Sequence, residues 1–177
     1  MSTHKNIGAC LALAALAACA ANTPSRLDAK FGRAASAQEV AASDISVPPS
    51  GEGLPSGSGN AKQGEAVYLA KCQSCHGAKG VGRPADPLAG GAGSLASANP
   101  VRTVGSFWPY ATTLFDYTRR AMPVTNPMSL TNDEAYAVTA YVLYLNGIVG
   151  ESDEMNARSL PQVKMPNRDG FVDWSRK

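Results

Sequence analysis

Five residues, Cys72-Gln73-Ser74-Cys75-His76, constrain this 177-residue chain more than everything around them. Two thiols three positions apart, followed at once by an imidazole, leave few chemistries open. A Cys-x-x-Cys-His run is the attachment site of a c-type haem. Thiols on one turn reach the two vinyl groups of a single porphyrin and become thioethers, and the next residue lies under the iron as an axial ligand. Two other readings compete. A redox dithiol of the thioredoxin kind wants strands alternating with helices, and the chain has no such pattern. A zinc site wants a second ligand pair at finger-like spacing, and the only other histidine is His4. The preferred reading is one covalent haem c, with Cys72 and Cys75 as anchors and His76 as proximal iron ligand.

The other two cysteines, Cys10 and Cys19, fall in an N-terminal targeting segment, residues 1–19. His4 and Lys5 make a weakly basic start, and an apolar run of twelve residues follows from Ile7 to Ala18. That length suits a secretory signal and is too short to span a bilayer. Leu16-Ala17-Ala18-Cys19 resembles the lipobox of bacterial lipoproteins, which implies lipidation at Cys19. Ordinary cleavage after Ala18-Cys19-Ala20 is the alternative. The expected location is the periplasm, with membrane attachment only through that lipid anchor. No structural disulfide is expected. A formal net charge of +2 with a pI near 8.4 gives no reason to expect nucleic acid as a partner.

Residues 20–30 read as a tether and 31–59 as an extended arm, with one possible helical turn over 38–42 before Val47-Pro48-Pro49. The main domain is placed at 60–150. Asn60 and Gln63 form a capping-box pair for a helix running into the motif, with Gly64 and Tyr68 on the face that leads to Cys72. From Gly77 to about Ser106 the chain is irregular, and such a loop is unusual unless it wraps something. Residues 111–120 read as a helix with Leu114, Phe115, Tyr117 and Thr118 turned inward, stopped before Pro123. Thr131 caps a last helix with the apolar stripe Ala135, Val138, Tyr141, Val142 and Leu145, and Asn146-Gly147 closes it. Residues 151–177 read as a C-terminal arm.

The second axial position decides between electron transfer and ligand binding. With no histidine left after export, the candidates are Met122, Met128, Met155 and Met165. Core packing is the ordinary role of a methionine. Met122 is preferred as distal ligand because it sits in an irregular segment with Pro123 behind it, and Met128 is second choice.

Gly64, Tyr68, the haem motif, Met122-Pro123 and the capped helix with Tyr141 together resemble class I cytochrome c. More specifically, the run from Ser106 through Phe107-Trp108-Pro109-Tyr110 to Arg119-Arg120-Ala121-Met122-Pro123 is similar to the cytochrome subunits of sulfane and sulfite dehydrogenases. So are Leu160 to Phe171, Gly57-Ser58-Gly59 and parts of residues 31–45. The resemblance implies an all-α class I cytochrome c fold, three to four helices around one haem, with extended N- and C-terminal arms. It implies that the first and last helices cross over Gly64, against the Val138/Tyr141 face. One feature departs from the family. Its usual Gly-Pro-x-Leu-x-Gly places a proline carbonyl on the proximal imidazole, but here Asp86 holds that position and Pro87 is shifted by one.

The resemblance also implies a one-electron carrier, with no catalytic residues of its own, that accepts electrons from a molybdenum-cofactor sulfite or sulfane dehydrogenase subunit and passes them to a downstream acceptor. A free-standing shuttle and a ligand-binding haem sensor or peroxidase are the alternatives. Trp108, Tyr110 and Arg119 are candidate contacts for a haem propionate. The surface around Trp108, Tyr110, Arg119 and Arg120 is also a candidate docking face, since aromatics and arginine are enriched at interface hot spots.

Overall fold

The structure, a computed structural model, describes residues 32–172 and Trp174; the expected signal segment with Cys19 and the tether 20–30 lie outside these. The chain divides into two compact units, Met1–Ala42 and Ser43–Lys177. In the first, a short helix, α1 (Ala37–Ser43), begins at a reciprocal cap. Ser36 Oγ accepts from the Glu39 N–H at 3.2 Å, and the Glu39 carboxylate accepts from the Ser36 N–H at 2.9 Å. The sequence suggests one turn here, and its Ser-x-x-Glu signature is the local sign of the longer helix.

The second unit is mostly helical. Helix α2 (Ala61–Lys71) starts at the expected capping box of Asn60 with Gln63. The one-turn helix α3 (Gln73–His76) carries the motif. Helix α4 (Ala111–Ala121) and helix α5 (Asn132–Leu145) follow, α5 with a second capping box between Thr131 and Glu134. Strands β1 (Ser58–Gly59) and β2 (Met155–Asn156) pair antiparallel, with Gly59 opposite Met155.

The principal contact is the crossing of α2 on α5. Two glycines lie against one alanine. A Cβ on Gly59 would come within 2.6 Å of the Ala137 Cβ, and one on Gly64 within 2.5 Å of the Ala137 carbonyl carbon. The crossing residue is therefore Ala137 together with Tyr141, not Val138 as expected. Ala137 is the position whose small side chain lets the backbones close. Tyr68 and Tyr141 meet beside it with ring centroids 5.2 Å apart, and Lys71 Nζ donates to Glu134 Oε1 at 2.6 Å. On the other side of α5, Tyr136 packs on Phe115 of α4 at 4.4 Å. Tyr68, Phe115, Tyr136 and Leu143 are fully buried, each contributing about 1.5–3 kcal/mol by area removed from water.

Helix α4 differs from expectation in one respect. Leu114 and Phe115 are buried, but Tyr117 is 48% exposed and lies edge-on to Trp108 at 5.9 Å. At 100° per residue, position 117 falls on the flank of the face that 114 and 115 share. The buried faces of α4 and α5 also hold the arm. Thr112 Oγ1 donates to Pro49 O at 3.0 Å, Tyr136 donates from its hydroxyl to Pro55 O at 2.9 Å, and Arg119 reaches Ile45 O at 3.4 Å.

Asp116 fastens that arm. Its carboxylate accepts the Val47 N–H at 2.8 Å and Arg120 Nε at 2.9 Å, while only 7% exposed. Burial raises its pKa, but the Arg120 hydrogen bond, the Val47 N–H and the charges of Arg120 and Arg119 outweigh this and hold it below its ordinary value. Asp116→Ala orphans a buried donor and is expected to cost about 2–3 kcal/mol. A folded pKa below the unfolded one means the contribution is whole above the unfolded pKa and is lost as pH falls through the folded one. Asp116→Asn should therefore flatten the acid side of the stability profile, read by urea unfolding from about pH 7 to about pH 3. An unchanged acid limb would contradict this role.

Candidate haem-attachment site

Helix α2 ends at Lys71, and Cys72 serves both as its C-cap and as the N-cap of α3. The N–H groups of Cys75 and His76 donate to Cys72 O at 3.1 and 3.0 Å. That single turn sets Cys72, Cys75 and His76 on one side, since residues three and four apart are neighbours on a helix. Gly77 then turns the chain back with φ 72°, and the Gly82 N–H returns to His76 O at 2.8 Å. A Cβ on Gly77 would collide with the Gly82 carbonyl. Tyr68 locks the turn from the helix side, its hydroxyl donating to Gly77 O at 2.8 Å.

Both thiols are unpaired and half-buried. Burial pushes the Cys72 thiol up to about 11, against a lowering by Lys71 and with a further rise from Cys75. A reactive redox thiol shows the opposite shift. Among the described residues no group of three or more His, Cys, Asp and Glu side chains is placed to hold a metal.

His76 Nδ1 lies 2.9 Å from Asp86 O. A carbonyl only accepts, so Nδ1 carries the proton and Nε2 keeps its lone pair for a metal. The orienting carbonyl is thus that of Asp86, although the proline is displaced. The hydrogen bond uses the backbone, so the side chain at 86 is immaterial. Pro87 still matters, because it confines the residue before it to extended geometry. The donor set fits a covalent haem: two thiols for thioethers and one imidazole with its tautomer fixed.

The other sequence candidates are distributed unevenly. Met122 is half-buried, extended at the C-cap of α4, with its N–H on Thr118 O at 3.1 Å. Met155 and Met165 are core residues, 4% and 3% exposed, and Met128 is 66% exposed. Trp108 and Tyr110 are half-buried just before α4. Sequence reasoning misses Arg168, whose guanidinium lies 4.2 Å over the Tyr110 ring. It misses the contact of Phe107 with Phe171 at 5.2 Å as well, so the C-terminal tail lies on the Phe107–Tyr110 run. A surface groove of about 340 Å³ between Lys62, Glu65, Tyr141, Tyr144 and Glu151 is lined by none of the predicted site residues.

Comparison with known proteins bears on these features. The family described as cytochrome C oxidase, cbb3-type, subunit III, matches residues 59–142. A chain in the crystal structure of the sulfane dehydrogenase SoxCD from Paracoccus pantotrophus is 41% identical, with a TM-score of 0.77. The match covers 84% of this chain and 73% of that one. The chain belongs to the cytochrome c family. Its fold is the all-α class I cytochrome c fold, and haem-based electron transfer is the function of the family. No curated protein sequence matches the cytochrome. Among the described residues no helix is long and apolar enough to cross a membrane.

Proposed function

We propose that this cytochrome carries one haem c, bound through Cys72 and Cys75, with His76 proximal and Met122 distal, and moves single electrons from a sulfane- or sulfite-oxidising molybdoenzyme subunit to a downstream acceptor. The observation that carries the reading is the α3 turn, where two thiols share one side with an imidazole whose Nδ1 is held by Asp86 O. When bound, the haem would supply an iron that accepts and returns one electron. The chain's own part is to hold and orient. Tyr68 and Gly77 fix the turn, Asp86 fixes the proximal ring, and α4 presents Met122 from a terminus whose arm is clamped at Asp116. The sulfur-oxidising partner is supported by the 41% identity to a SoxCD chain. Export to the periplasm and lipidation at Cys19 rest on the N-terminal sequence alone.

Docking on that partner is assigned to the surface around Trp108, Tyr110, Arg119 and Arg120. Arg120 also pairs with Asp116 while its side chain stays 43% exposed, and Arg119 also reaches Ile45 O at 3.4 Å. Trp108 and Tyr110, with Arg119, stay as the residues proposed for a propionate.

Two measurements test the reading. Met122→Ala should remove the far-red charge-transfer band of sulfur-ligated ferric haem and lower the midpoint potential, since a thioether favours ferrous iron. Loss of that band in Met128→Ala, with Met122→Ala unaltered, would reassign the ligand. Second, wild-type protein should be reduced by one electron per chain by a sulfite- or sulfane-oxidising molybdoenzyme with its substrate, and the reduced form should not bind carbon monoxide promptly. Rapid carbon monoxide binding would favour a sensor or peroxidase instead.

A further inference from the structure

Asn146 lies at the end of α5, far along the chain from the motif, yet its side chain is spent on the loop that serves His76. Oδ1 accepts the Gly90 N–H at 3.1 Å, and Nδ2 donates to Leu88 O at 3.0 Å and Val142 O at 2.8 Å. Both amide donors are used, which fixes the rotamer and the amide orientation. Helix capping does not require this. At the C-terminus of α5 the backbone already closes the last turn, with Ile148 N–H on Leu143 O at 3.1 Å and Gly147 N–H on Tyr144 O at 2.8 Å, the Schellman pattern, so of the side-chain bonds only that to Val142 O adds to the cap. The opposite wall is cut to admit the amide. A Cβ on Gly105 would lie 2.7 Å from Asn146 Cγ and 2.8 Å from its Cβ.

The segment that Asn146 grips, Leu88–Gly90, begins two residues after Asp86. At the near end the same segment is tied to the motif turn. Ala85 N–H donates to Cys75 O at 2.9 Å, and Leu88 N–H to Gly80 O at 2.8 Å. Asp86 O is thus suspended between an anchor on the motif and an anchor on the last helix. We infer that Asn146 is a positioning residue for the proximal imidazole, acting through Leu88–Gly90 to keep the Asp86 carbonyl on His76 Nδ1. The inference rests on the reading of His76 as iron ligand. A hydrogen bond from the second ring nitrogen raises the basicity of a ligating histidine. Loosening it makes the imidazole a weaker donor and favours the ferrous state.

The test uses the full holoprotein. Asn146→Ala is expected to raise the midpoint potential and shift the hyperfine-shifted ring resonances of His76 in the ferric protein, with the far-red band retained. Gly105→Ala, which displaces the amide without removing it, should move both in the same direction if Asn146→Ala is too unstable to study. Asn146→Asp keeps the acceptor for Gly90 but loses both donors, and should fall between wild type and alanine. Thr131→Ala removes the cap at the other end of α5 and lowers stability by about 1 kcal/mol, yet should leave potential and resonances unchanged. If Asn146→Ala and Gly105→Ala lower the melting temperature while both readouts stay at wild-type values, Asn146 is only a clasp and the inference is wrong. A wild-type protein whose axial-ligand spectrum is unchanged by His76→Ala overturns the ligand assignment, and the inference with it.

Discussion

Gly64→Ala is expected to be the most destabilising single-methyl change in the cytochrome. In an ordinary helix the substitution gains roughly 1 kcal/mol from propensity. Here the added carbon would lie 2.5 Å from the Ala137 carbonyl carbon, still closer to its oxygen, and 2.8 Å from the Tyr141 Cβ. Backbone on a buried helix cannot give way as the tip of a flexible side chain does. The helices must separate by something on the order of an ångström, whereas even modest overpacking costs about 1–3 kcal/mol. The separation also pulls apart Tyr68 from Tyr141 and Lys71 from Glu134. A net loss of roughly 2–4 kcal/mol follows, or a fall in Tm of about 10 °C for a chain of this size. Ala66→Gly, at an exposed site on the same helix, should cost only about 1 kcal/mol. Thermal unfolding of both holoproteins decides the matter. A Gly64→Ala protein as stable as wild type would mean that the crossing is not as close as described.

That crossing is partly legible in the sequence. Gly64 and Tyr68 are local to the motif, and the caps at Asn60, Thr131 and Asn146-Gly147 are signals of three or four residues, so α2 and α5 lie where those signals put them. What faces Gly64 is harder to read. An apolar stripe names a face, and Val138 is its natural candidate, but the packing sets Ala137, beside that stripe, against the glycines. Nothing in the string marks which small residue meets a glycine 73 positions earlier.

The candidate site divides in the same way. Cys72, Cys75 and His76 are legible because thioether chemistry fixes their spacing within one turn. The carbonyl on His76 is obscured because the family pattern is written in side chains while the contact is made by backbone; Pro87 one place late leaves Asp86 O in position. The Asp116 clamp on Val47 spans 69 residues and the Arg168 stack on Tyr110 spans 58, and neither leaves a local trace. The two arginines proposed for docking read as surface charge in sequence, although the acid that takes Arg120 sits only one helical turn away. An i, i+4 scan of α4 finds that pair.

The claim on which all of this depends is that Cys72 and Cys75 hold a haem covalently. Their thiols are unpaired, half-buried and on one turn with His76. Loss of both removes every thioether, whereas loss of one leaves a single bond and a reduced yield. The direct measurement is the intact mass of the protein under denaturing conditions, for wild type and for the Cys72→Ala/Cys75→Ala double variant expressed with the haem-attachment machinery. The account predicts one haem added to each wild-type chain and none to the double variant. A wild-type chain of unmodified mass, or a double variant that still carries the haem through denaturation, would contradict it.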